Sequence, residues 1–463
     1  MSLEIVILAA GMGKRMHSTL PKVLHKVAGK AMLQHVIETA AELGPRAIHV
    51  VIGHGREQVE ELLKTLPDEL KSVTDCVVQE EQLGTGHAVK CALTKIDPQS
   101  DVLVLYGDTP LTPAALLADL VQGLSDCDLV VLSANTENPT GYGRIIRNTS
   151  GLLEGIVEEK DASPAQKQIR EVNTGMIATT AKTLNEYLPQ IGNKNAQHEY
   201  YLTDLAGLMA DRGLKVGVMI APDFEILSGV NSKVQLNFVE RLFQRRAAYK
   251  LMEQGVTLAD PERFDLRGTL CCGDDCFIDI NCVFEGKVTL GKGVSIGPGC
   301  IIKNCTIADN AVISPYTVME DSTLGIHTTI GPFARLRPGN KLDDEVHVGN
   351  FVELKKAHLG FNTKAGHLSY LGDTDIGREV NIGAGTITCN YDGANKFRTE
   401  IGDNVFVGSD SQLVAPVTIK NGVTIGAGTT VTRHIRHEEN ALIVTRAQSR
   451  VLDNYPRPKK KNR

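Results

Sequence analysis

The amino-acid sequence predicts a two-domain protein, with a doubly wound α/β domain, a long connecting helix and a parallel β-helix. Two observations predict this architecture. Over residues 1–231, short β-rich runs alternate with helical patterns. Beyond residue 255, the helical patterns nearly vanish and aliphatic residues recur every six positions. A chain of 463 residues has room for two or three domains of ordinary size, so the two patterns can belong to separate cores.

The first domain is predicted from its strands and from one helix between them. Because four runs are apolar on both faces, they are typical of a buried, largely parallel sheet. The runs are residues 4–10, 47–53, 75–79 and 101–108. Between the first two, apolar residues from Met32 to Leu43 recur at helical spacing. The order strand, helix, strand predicts a doubly wound α/β domain.

A long helix is predicted over residues 232–255. Leu236, Val239 and Phe243 form one apolar stripe of this helix, and Gly255 ends the pattern.

Beyond the helix, twelve aliphatic residues fall at intervals of six in two unbroken registers. They are Leu324, Ile330, Leu336, Leu342, Val348 and Leu354, then Ile401, Val407, Leu413, Ile419, Ile425 and Val431. Three hexads make one triangular coil of about 18 residues with the aliphatic side chains inside, so residues 256–463 are predicted to form a parallel β-helix.

Two segments depart from the repeat. The registers break between residues 355 and 400, where residues 390–400 cannot be aligned as hexads. Insertions in a solenoid are usually loops, and loops on a rigid scaffold often carry function. The last seven residues, 457–463, include five basic side chains. This tail is interpreted as a solvated end of the chain.

Composition excludes several classes of function. A formal net charge of −6 argues against a general nucleic-acid binder. We expect a cytoplasmic protein without membrane insertion, because there is no leader pattern and no apolar run of the roughly 18 residues needed to span a bilayer. The ten cysteines are expected to be reduced. Six of them, from Cys271 to Cys305, are expected to be small buried thiols, since zinc knuckles have paired cysteines that this cluster lacks.

A loop after the first strand is a candidate anion site. The run from Leu8 to Lys22 contains glycines and the cations Lys14 and Arg15, with no acidic residue. Backbone N–H groups in such a loop can approach phosphate oxygens. The loop does not match the dinucleotide-binding motif G-x-G-x-x-G, because Met16 stands at the third glycine position. It also lacks the Gly-Lys-Ser/Thr sequence that ends a Walker phosphate-binding loop. A tight turn with solvated cations is the alternative.

A carboxylate lies at the same predicted edge of the sheet. Asp108 ends the fourth strand, at the edge where open α/β sheets bind ligands. It could hold Mg²⁺ against phosphates or cap the next helix.

Several motifs together resemble a known enzyme family. Their order and spacing are similar to those of the sugar-1-phosphate nucleotidylyltransferases. The motifs are "LAAGMGKRM" with Leu20-Pro21-Lys22, "EQLGTGHA" (81–88), "YGD" (106–108), "PTGYGR" (139–144), "GIVEEKD" (155–161), "EVNTG" (171–175) and "GVN" (229–231). With the hexapeptide half, the whole chain resembles the bacterial bifunctional N-acetylglucosamine-1-phosphate uridyltransferase/glucosamine-1-phosphate N-acetyltransferases. The resemblance implies an α/β Rossmann-like nucleotidyltransferase domain (1–231), a linker helix (232–255) and a left-handed β-helix acetyltransferase domain with a basic tail (256–463).

The resemblance also implies the residues of a uridylyl-transfer site. Arg15 and Lys22 would act on the triphosphate of UTP, and Asp108 and Asn231 would ligate Mg²⁺. One departure is Lys14, which stands where the family usually has Thr. The substrates UTP and UDP-N-acetylglucosamine would contact Leu8, Ala9, Ala10, Gly11, Lys22, Gln79, Gly84, Thr85, Tyr106, Gly107, Asp108, Gly143, Glu158, Asn173 and Asn231.

A second site is expected around the broken register. Acetyl transfer to an amine needs a base, cations for the sugar phosphate and a donor for the oxyanion. His367 is a candidate base from its residue type, although a packed or surface histidine is the alternative; the resemblance implies the catalytic role, with Glu353 orienting it. Glucosamine-1-phosphate would contact Arg337, Lys355, Tyr370, Asn381, Asn390, Tyr391 and Lys396. Acetyl-CoA would contact Ala384, Asn390, Tyr391, Ser409, Ala427 and Arg446.

The resemblance implies a bifunctional enzyme. It would acetylate glucosamine-1-phosphate from acetyl-CoA and then transfer uridylyl from UTP, releasing pyrophosphate. The product, UDP-N-acetylglucosamine, supplies peptidoglycan and lipopolysaccharide synthesis. A homotrimer with acetyl sites between subunits is also implied. Two alternatives are a single-activity nucleotidylyltransferase with a structural β-helix, and a non-catalytic scaffold.

Overall fold

The computed structural model describes residues 2–445 and 449–456. Its contacts divide into two compact units, Met1–Phe243 and Gln244–Arg463, called the amino-terminal and carboxyl-terminal units below. The boundary falls inside a long helix, Lys233–Glu253, so the predicted connecting helix is confirmed. The domain limits 1–231, 232–255 and 256–463 remain a prediction.

The amino-terminal unit is a nine-stranded mixed sheet flanked by helices. Its strands are β1 (Leu3–Leu8), β2 (Lys26–Val27), β3 (Lys30–Ala31), β4 (Ala47–Ile52), β5 (Thr74–Val78), β6 (Asp101–Tyr106), β7 (Leu129–Asn135), β8 (Arg144–Arg147), β9 (Leu153–Val157), β10 (Glu171–Thr180) and β11 (Val216–Ala221), with β2 and β3 forming a separate hairpin. Its helices are α1 (Met32–Ala41), α2 (Arg56–Thr65), α3 (Asp68–Val73), α4 (Thr85–Leu93), α5 (Ala114–Gln122), α6 (Ala181–Tyr187), α7 (Asp204–Asp211) and the start of α8 (Lys233–Glu253). The main strand order is β11-β7-β10-β6-β1-β4-β5.

The four predicted strands are confirmed as β1, β4, β5 and β6, all parallel to their neighbours among these four. They are apolar on both faces because each face is covered. Ile5 and Ile7 of β1 pack in one core cluster, and Val6 packs in another. The sheet is mixed rather than wholly parallel, since β10 runs antiparallel to β6 and β7.

A buried ionic cluster joins three of these strands. Nε2 of His49 lies 2.9 Å from Oε2 of Glu4, and its Nδ1 lies 2.7 Å from Oδ1 of Asp75. Both carboxylates can only accept when ionised, so the imidazole between them carries two protons. Burial alone would lower the pKa of His49, but the hydrogen bonds and charges of Asp75 and Glu4 raise it above its usual value.

We expect His49→Gln to destabilise this part of the sheet by about 3 kcal/mol near pH 6, as for other broken buried ion pairs. A raised histidine pKa stabilises the folded state fully below the unfolded value of about 6.5, and this stabilisation is lost as pH rises through the folded value. The difference in stability between wild type and His49→Gln should therefore shrink at higher pH. Hydrogen exchange of the β1 and β4 amides measures this difference in stability. His198→Asn is the control at an exposed histidine with φ of 56°; a pH-independent difference for His49→Gln would contradict the prediction.

The carboxyl-terminal unit is built of parallel strands stacked in coils, as predicted. One stack contains β12 (Thr257–Leu258), β14 (Phe277–Ile278), β16 (Ser295–Ile296), β19 (Val312–Ile313), β22 (Thr329–Ile330), β25 (His347–Asn350), β27 (Lys364–His367), β29 (Asn381–Ile382), β32 (Phe406–Val407), β35 (Thr424–Ile425) and β37 (Leu442–Ile443). The other strands form one continuous sheet: β13 (Phe264–Cys272), β15 (Cys282–Leu290), β17 (Ile301–Lys303), β18 (Thr306–Ile307), β20 (Val318–Glu320), β21 (Ser322–Leu324), β23 (Arg335–Leu336), β24 (Asn340–Leu342), β26 (Glu353–Leu359), β28 (Tyr370–Ile376), β30 (Ile387–Cys389), β31 (Thr399–Ile401), β33 (Gln412–Val414), β34 (Val417–Ile419) and β36 (Thr430–Thr432). All twelve aliphatic residues of the predicted registers are buried.

The break in the six-residue register does not come from an insertion over all of residues 355–400. The coils continue through β26, β27, β28 and β30. Some coils are one residue shorter, so Lys364 pairs with Asn381 seventeen positions later, whereas Phe406 pairs with Thr424 eighteen positions later. A coil with one residue fewer shifts the six-residue period without breaking the stack. The loop that leaves the coil is confined to residues 390–398, between β30 and β31.

The cysteine cluster lies in the first coils. Four of its six thiols are buried, as expected, whereas Cys271 is exposed and Cys272 is half-buried. The Sγ atoms of Cys276, Cys282 and Cys300 donate to backbone carbonyls at 3.0, 3.2 and 3.3 Å. Burial raises the pKa of Cys282 to about 11 and of Cys300 to about 12. These thiols therefore stay protonated and hold the coil corners by hydrogen bonds.

Across the described ranges 2–445 and 449–456, no helix has both the length and the apolar character that crossing a membrane would need.

Candidate functional site

A cavity of about 410 Å³ opens at the carboxyl ends of β1 and β6 in the amino-terminal unit. These strands are parallel neighbours, with Leu8 paired to Tyr106 at their ends, so the residues after both strands meet at one edge. Ten of the predicted UTP-site residues line the cavity. They are Leu8, Ala9, Ala10, Gly11, Lys22, Gln79, Gly84, Thr85, Tyr106 and Asp108.

The glycine-containing loop forms one wall of this cavity. Gly13 has a φ of 60°, and a Cβ there would lie 2.8 Å from Cβ of Lys22. A glycine is therefore required for the loop to close over Lys22. Lys14 lines the cavity, while Arg15 is exposed. The position at which the family usually has Thr thus adds a cation to the cavity wall.

Lys22, Asp108 and Asn231 converge at the mouth of the loop. The Nζ atom of Lys22 donates to Oδ2 of Asp108 at 2.5 Å and to Oδ1 of Asn231 at 3.1 Å. The backbone helps to hold this arrangement, because N–H of Val230 donates to the Asp108 carbonyl at 3.0 Å. Two side-chain oxygens, one of them from a buried carboxylate, thus already contact the Lys22 ammonium. Carboxylate and amide oxygens are also the ligands that Mg²⁺ prefers, so the donor set fits this ion.

The predicted amino-sugar residues lie together: Gly143 directly precedes β8, Glu158 directly follows β9, and Asn173 is in β10. N–H of Asn173 donates to the Gly143 carbonyl at 2.8 Å. A Cβ at Gly143 would be 3.3 Å from Oε1 of Glu158, so a glycine permits close approach. Oε1 of Glu158 accepts from Oγ1 of Thr203 at 3.0 Å. Burial raises the pKa of Glu158. Thr203 was not predicted, and no local motif indicates it.

Tyr106 links this group to the cavity. Burial and the carboxylates of Glu158 and Asp108 raise the pKa of Tyr106 well above its usual value, and its hydroxyl is hydrogen-bonded to Thr85. A Cβ at Gly175 would lie 2.5 Å from the Tyr106 ring. Tyr106 is therefore a neutral, rigid wall of the cavity. N–H of Gly107 donates to the Leu8 carbonyl at 3.0 Å. This hydrogen bond joins the end of β6 to the end of β1, next to Tyr106.

The predicted base of the second site, His367, ends β27 at an exposed corner of the β-helix. Its Nδ1 lies 3.0 Å from Oδ1 of Asn350, the residue paired with it in the preceding coil. Glu353 instead accepts from Nη1 of Arg337 at 3.2 Å. Orientation of His367 by Glu353 therefore stays a prediction, whereas Asn350, which sequence reasoning missed, contacts the ring directly. The signal was present, since Asn350 precedes His367 by one 17-residue coil.

Two predicted phosphate ligands, Lys355 and Lys396, lie beside each other. A hydrogen bond with Lys355 and the charge of its ammonium lower the pKa of Lys396. Lys355 comes from β26, and Lys396 comes from the loop 390–398. Two adjacent ammonium groups repel each other unless an anion lies between them. This pairing is typical of a phosphate site.

The loop 390–398 is fixed at its base. Nδ2 of Asn390 donates to Oδ2 of Asp373 at 2.5 Å and to the Tyr370 hydroxyl at 3.5 Å. Tyr391 is bridged to Lys396 across the loop and is exposed. The structure thus brings the predicted sugar-phosphate residues of β28 and the loop together.

Three of the predicted acetyl-CoA residues form a column with His367. Ala384, Ser409 and Ala427 occupy equivalent positions in successive coils, since N–H of Asp410 donates to the Ala384 carbonyl at 2.7 Å and N–H of Gly428 to the Ser409 carbonyl at 2.8 Å. His367 precedes Ala384 by seventeen residues, the same offset by which Lys364 pairs with Asn381, so it occupies the equivalent position one coil earlier. Coils are about 4.8 Å apart, which puts Ala384 nearer to His367 than Ser409.

One predicted residue of the described part of the chain, Asn381, lies elsewhere. Asn381 pairs with Lys364, at the opposite end of β27 from His367 and so away from its corner in this chain. Arg446 and the basic tail 457–463 lie outside the described residues.

The chain matches three family descriptions. Residues 5–172 match the MobA-like NTP transferase domain, residues 266–365 match the GMPPB C-terminal domain, and residues 398–433 match six repeats of the bacterial transferase hexapeptide.

Full-length relatives are similar over both units. A bifunctional protein GlmU of Marinobacter nauticus is 52% identical over 458 residues, covering 99% of this chain and 99% of its own. Another bifunctional protein GlmU, from Burkholderia vietnamiensis, is 53% identical over 461 residues, covering 99% of this chain and 100% of its own.

Proposed function

Because this chain belongs to the family of bifunctional GlmU proteins, we propose that it makes UDP-N-acetylglucosamine in two steps, one in each unit. The carboxyl-terminal unit acetylates glucosamine-1-phosphate from acetyl-CoA. The amino-terminal unit then transfers uridylyl from UTP to N-acetylglucosamine-1-phosphate and releases pyrophosphate. The product is a precursor for peptidoglycan and lipopolysaccharide. The single observation that carries this proposal is the similarity above 50% identity over both units.

Uridylyl transfer needs charge neutralisation and orientation. A phosphate oxygen of the sugar phosphate attacks the α-phosphorus of UTP in line, and the bond from that phosphorus to pyrophosphate breaks. Both partners are anions, so the site must bring like charges together rather than supply a nucleophile. Lys22 and Lys14 at the cavity wall, with Arg15 on the same loop, supply positive charge. Asp108 and Asn231 would hold Mg²⁺, which neutralises phosphate charge when bound.

Acetyl transfer needs a base with a free lone pair. Oδ1 of Asn350 can only accept, so Nδ1 of His367 carries the proton at their 3.0 Å contact. Nε2 of His367 is then left to take a proton from the ammonium of glucosamine-1-phosphate. The freed amine attacks the thioester carbonyl, the C–S bond breaks, and CoA leaves as its thiol. Arg337, Lys355 and Lys396 would hold the sugar phosphate.

We further propose a homotrimer acting in the cytoplasm. Asn381 lies away from the His367 corner in this chain, whereas the family resemblance assigns both to one substrate. Acetyl sites formed between subunits would reconcile these facts. A cytoplasmic location fits the use of UTP and acetyl-CoA.

Removal of divalent metal is expected to separate the two activities. Both half-reactions are followed on one sample, as thiol release from acetyl-CoA with glucosamine-1-phosphate and as pyrophosphate release from UTP with N-acetylglucosamine-1-phosphate. EDTA should abolish pyrophosphate release, because only that reaction is proposed to use the Asp108–Asn231 site. Thiol release should be nearly unchanged, and excess Mg²⁺ should restore pyrophosphate. Absence of both activities before chelation would refute the proposed function.

A further inference from the structure

The carboxamide of Gln79 has a fixed orientation in the cavity wall. Its Nε2 lies 3.1 Å from the Gly84 carbonyl oxygen and 3.1 Å from Nδ1 of His87. A carbonyl oxygen can only accept, so the atom facing Gly84 must be the amide nitrogen. Both hydrogens of that nitrogen are then directed at Gly84 and His87. Oε1 is the part of the amide left to meet a ligand in the cavity.

The protonation of His87 follows from the same contact. Because Nε2 of Gln79 donates, Nδ1 of His87 must accept, and the ring proton of neutral His87 lies on its Nε2. Nε2 of His87 lies 3.8 Å from Sγ of Cys91, one turn further along α4. A thiol sulfur can accept from this N–H weakly. The His87 ring is therefore held from both sides, with its acceptor nitrogen towards Gln79.

The backbone around these residues leaves little freedom. Gly84 has a φ of 111°, and a Cβ there would lie 2.6 Å from the Tyr200 carbonyl oxygen. N–H of Gly86 donates to the same oxygen at 2.8 Å. The start of α4 is thus anchored, which fixes both acceptors of the Gln79 amide relative to the cavity.

We propose that His87 is a positioning residue for nucleobase selection, holding Gln79 so that its oxygen, and not its nitrogen, faces the base. This inference rests on the proposed uridylyl transfer and assigns it a specificity determinant. A uracil ring carries a hydrogen on N3 and can donate to Oε1. A cytosine ring has a bare N3 and would set two acceptors against each other. A carboxamide free to turn over would present its N–H to cytosine and lose this discrimination.

Three variants test the role of His87. His87→Ala removes the acceptor, and we expect the KM for UTP to rise about tenfold, as for loss of one hydrogen bond, with kcat little changed. The preference for UTP over CTP should fall by a similar factor. His87→Asn can place its side-chain oxygen where Nδ1 was and should restore both. His87→Gln reaches the position of Nε2 instead and should resemble the alanine variant.

The readouts distinguish positioning from folding. Pyrophosphate release gives kcat and KM for UTP and CTP, and calorimetry gives the affinity of each nucleotide. Thiol release by the same protein should be unchanged in all three variants. An unchanged UTP-to-CTP preference in His87→Ala, or equal loss for His87→Asn and His87→Gln, would overturn the proposal. If wild type released no pyrophosphate, the proposed function would fail, and the calorimetric preference alone would then decide the role of His87.

Discussion

Replacing His367 by alanine is expected to slow CoA thiol release by about 10³-fold, within the range for loss of a general base, while leaving pyrophosphate release nearly intact. The alanine variant has no group to take the ammonium proton of the sugar. His367 is exposed at a corner, so its loss removes little core packing. The measurement is the pair of half-reactions on one preparation.

A matched control is available on the same β-helix. His358 of β26 is a half-exposed histidine whose Nε2 lies 3.2 Å from Oδ2 of Asp343, in a different part of the coil from the His367 corner. His358→Ala should retain thiol release. A proportional loss of both activities in His367→Ala would indicate misfolding or a shared site, and full retention of thiol release would contradict the role of His367.

The same assay can decide what orients the base. Asn350 contacts Nδ1 of His367 directly, whereas Glu353 is engaged by Arg337. If Asn350 fixes the tautomer, Asn350→Ala should slow thiol release, and Glu353→Ala should act mainly on the KM for the sugar phosphate through Arg337. Reversal of these two effects would favour the family's assignment of Glu353.

The repeat made the β-helix predictable from sequence. Each hexad places one aliphatic residue in a narrow interior, so Leu336 and Val407 reveal their burial by spacing alone. The shortened coils could not be predicted this way, because a coil of 17 residues in place of 18 shifts the six-residue period while backbone pairing continues. The six-residue period alone therefore assigns residues 355–389 to the same break as the loop that follows them.

The candidate sites were predictable only in part for a different reason. Motifs indicate residues that are proposed to contact ligands, such as Gly84 and Asp108, because their chemistry is tied to the ligand. A motif does not reveal which groups orient such residues: Asn350 stands in none of the quoted motifs, and His87 stands in the motif at 81–88 without a role that its spacing indicates. Asn350 and His87 become visible only when the strand pairing and the start of α4 bring their polar atoms within 3.0 and 3.1 Å of His367 and Gln79.

The complementary variant is Asp108→Ala, which is expected to reduce pyrophosphate release by about 10³-fold, comparable to loss of a preorganised electrostatic contact. Asp108 is buried and holds the Lys22 ammonium at 2.5 Å. Its loss removes a proposed Mg²⁺ ligand and leaves Lys22 without its carboxylate partner. Both effects weaken the charge balance that joins two anions. Thiol release should be unchanged.

The design of this test separates charge from fold. Asp119→Asn on α5 removes an exposed carboxylate of the same unit and should leave pyrophosphate release unchanged. Asp108→Asn keeps the size of the side chain, so a loss as large as in Asp108→Ala would assign the effect to charge. Pyrophosphate release that survived both Asp108 variants would contradict the metal role.

The variants His367→Ala and Asp108→Ala should each lose one reaction and keep the other. A mixture of the two proteins should therefore regain the complete conversion to UDP-N-acetylglucosamine. Recovery is expected because N-acetylglucosamine-1-phosphate made by one variant can diffuse to the uridylyl site of the other.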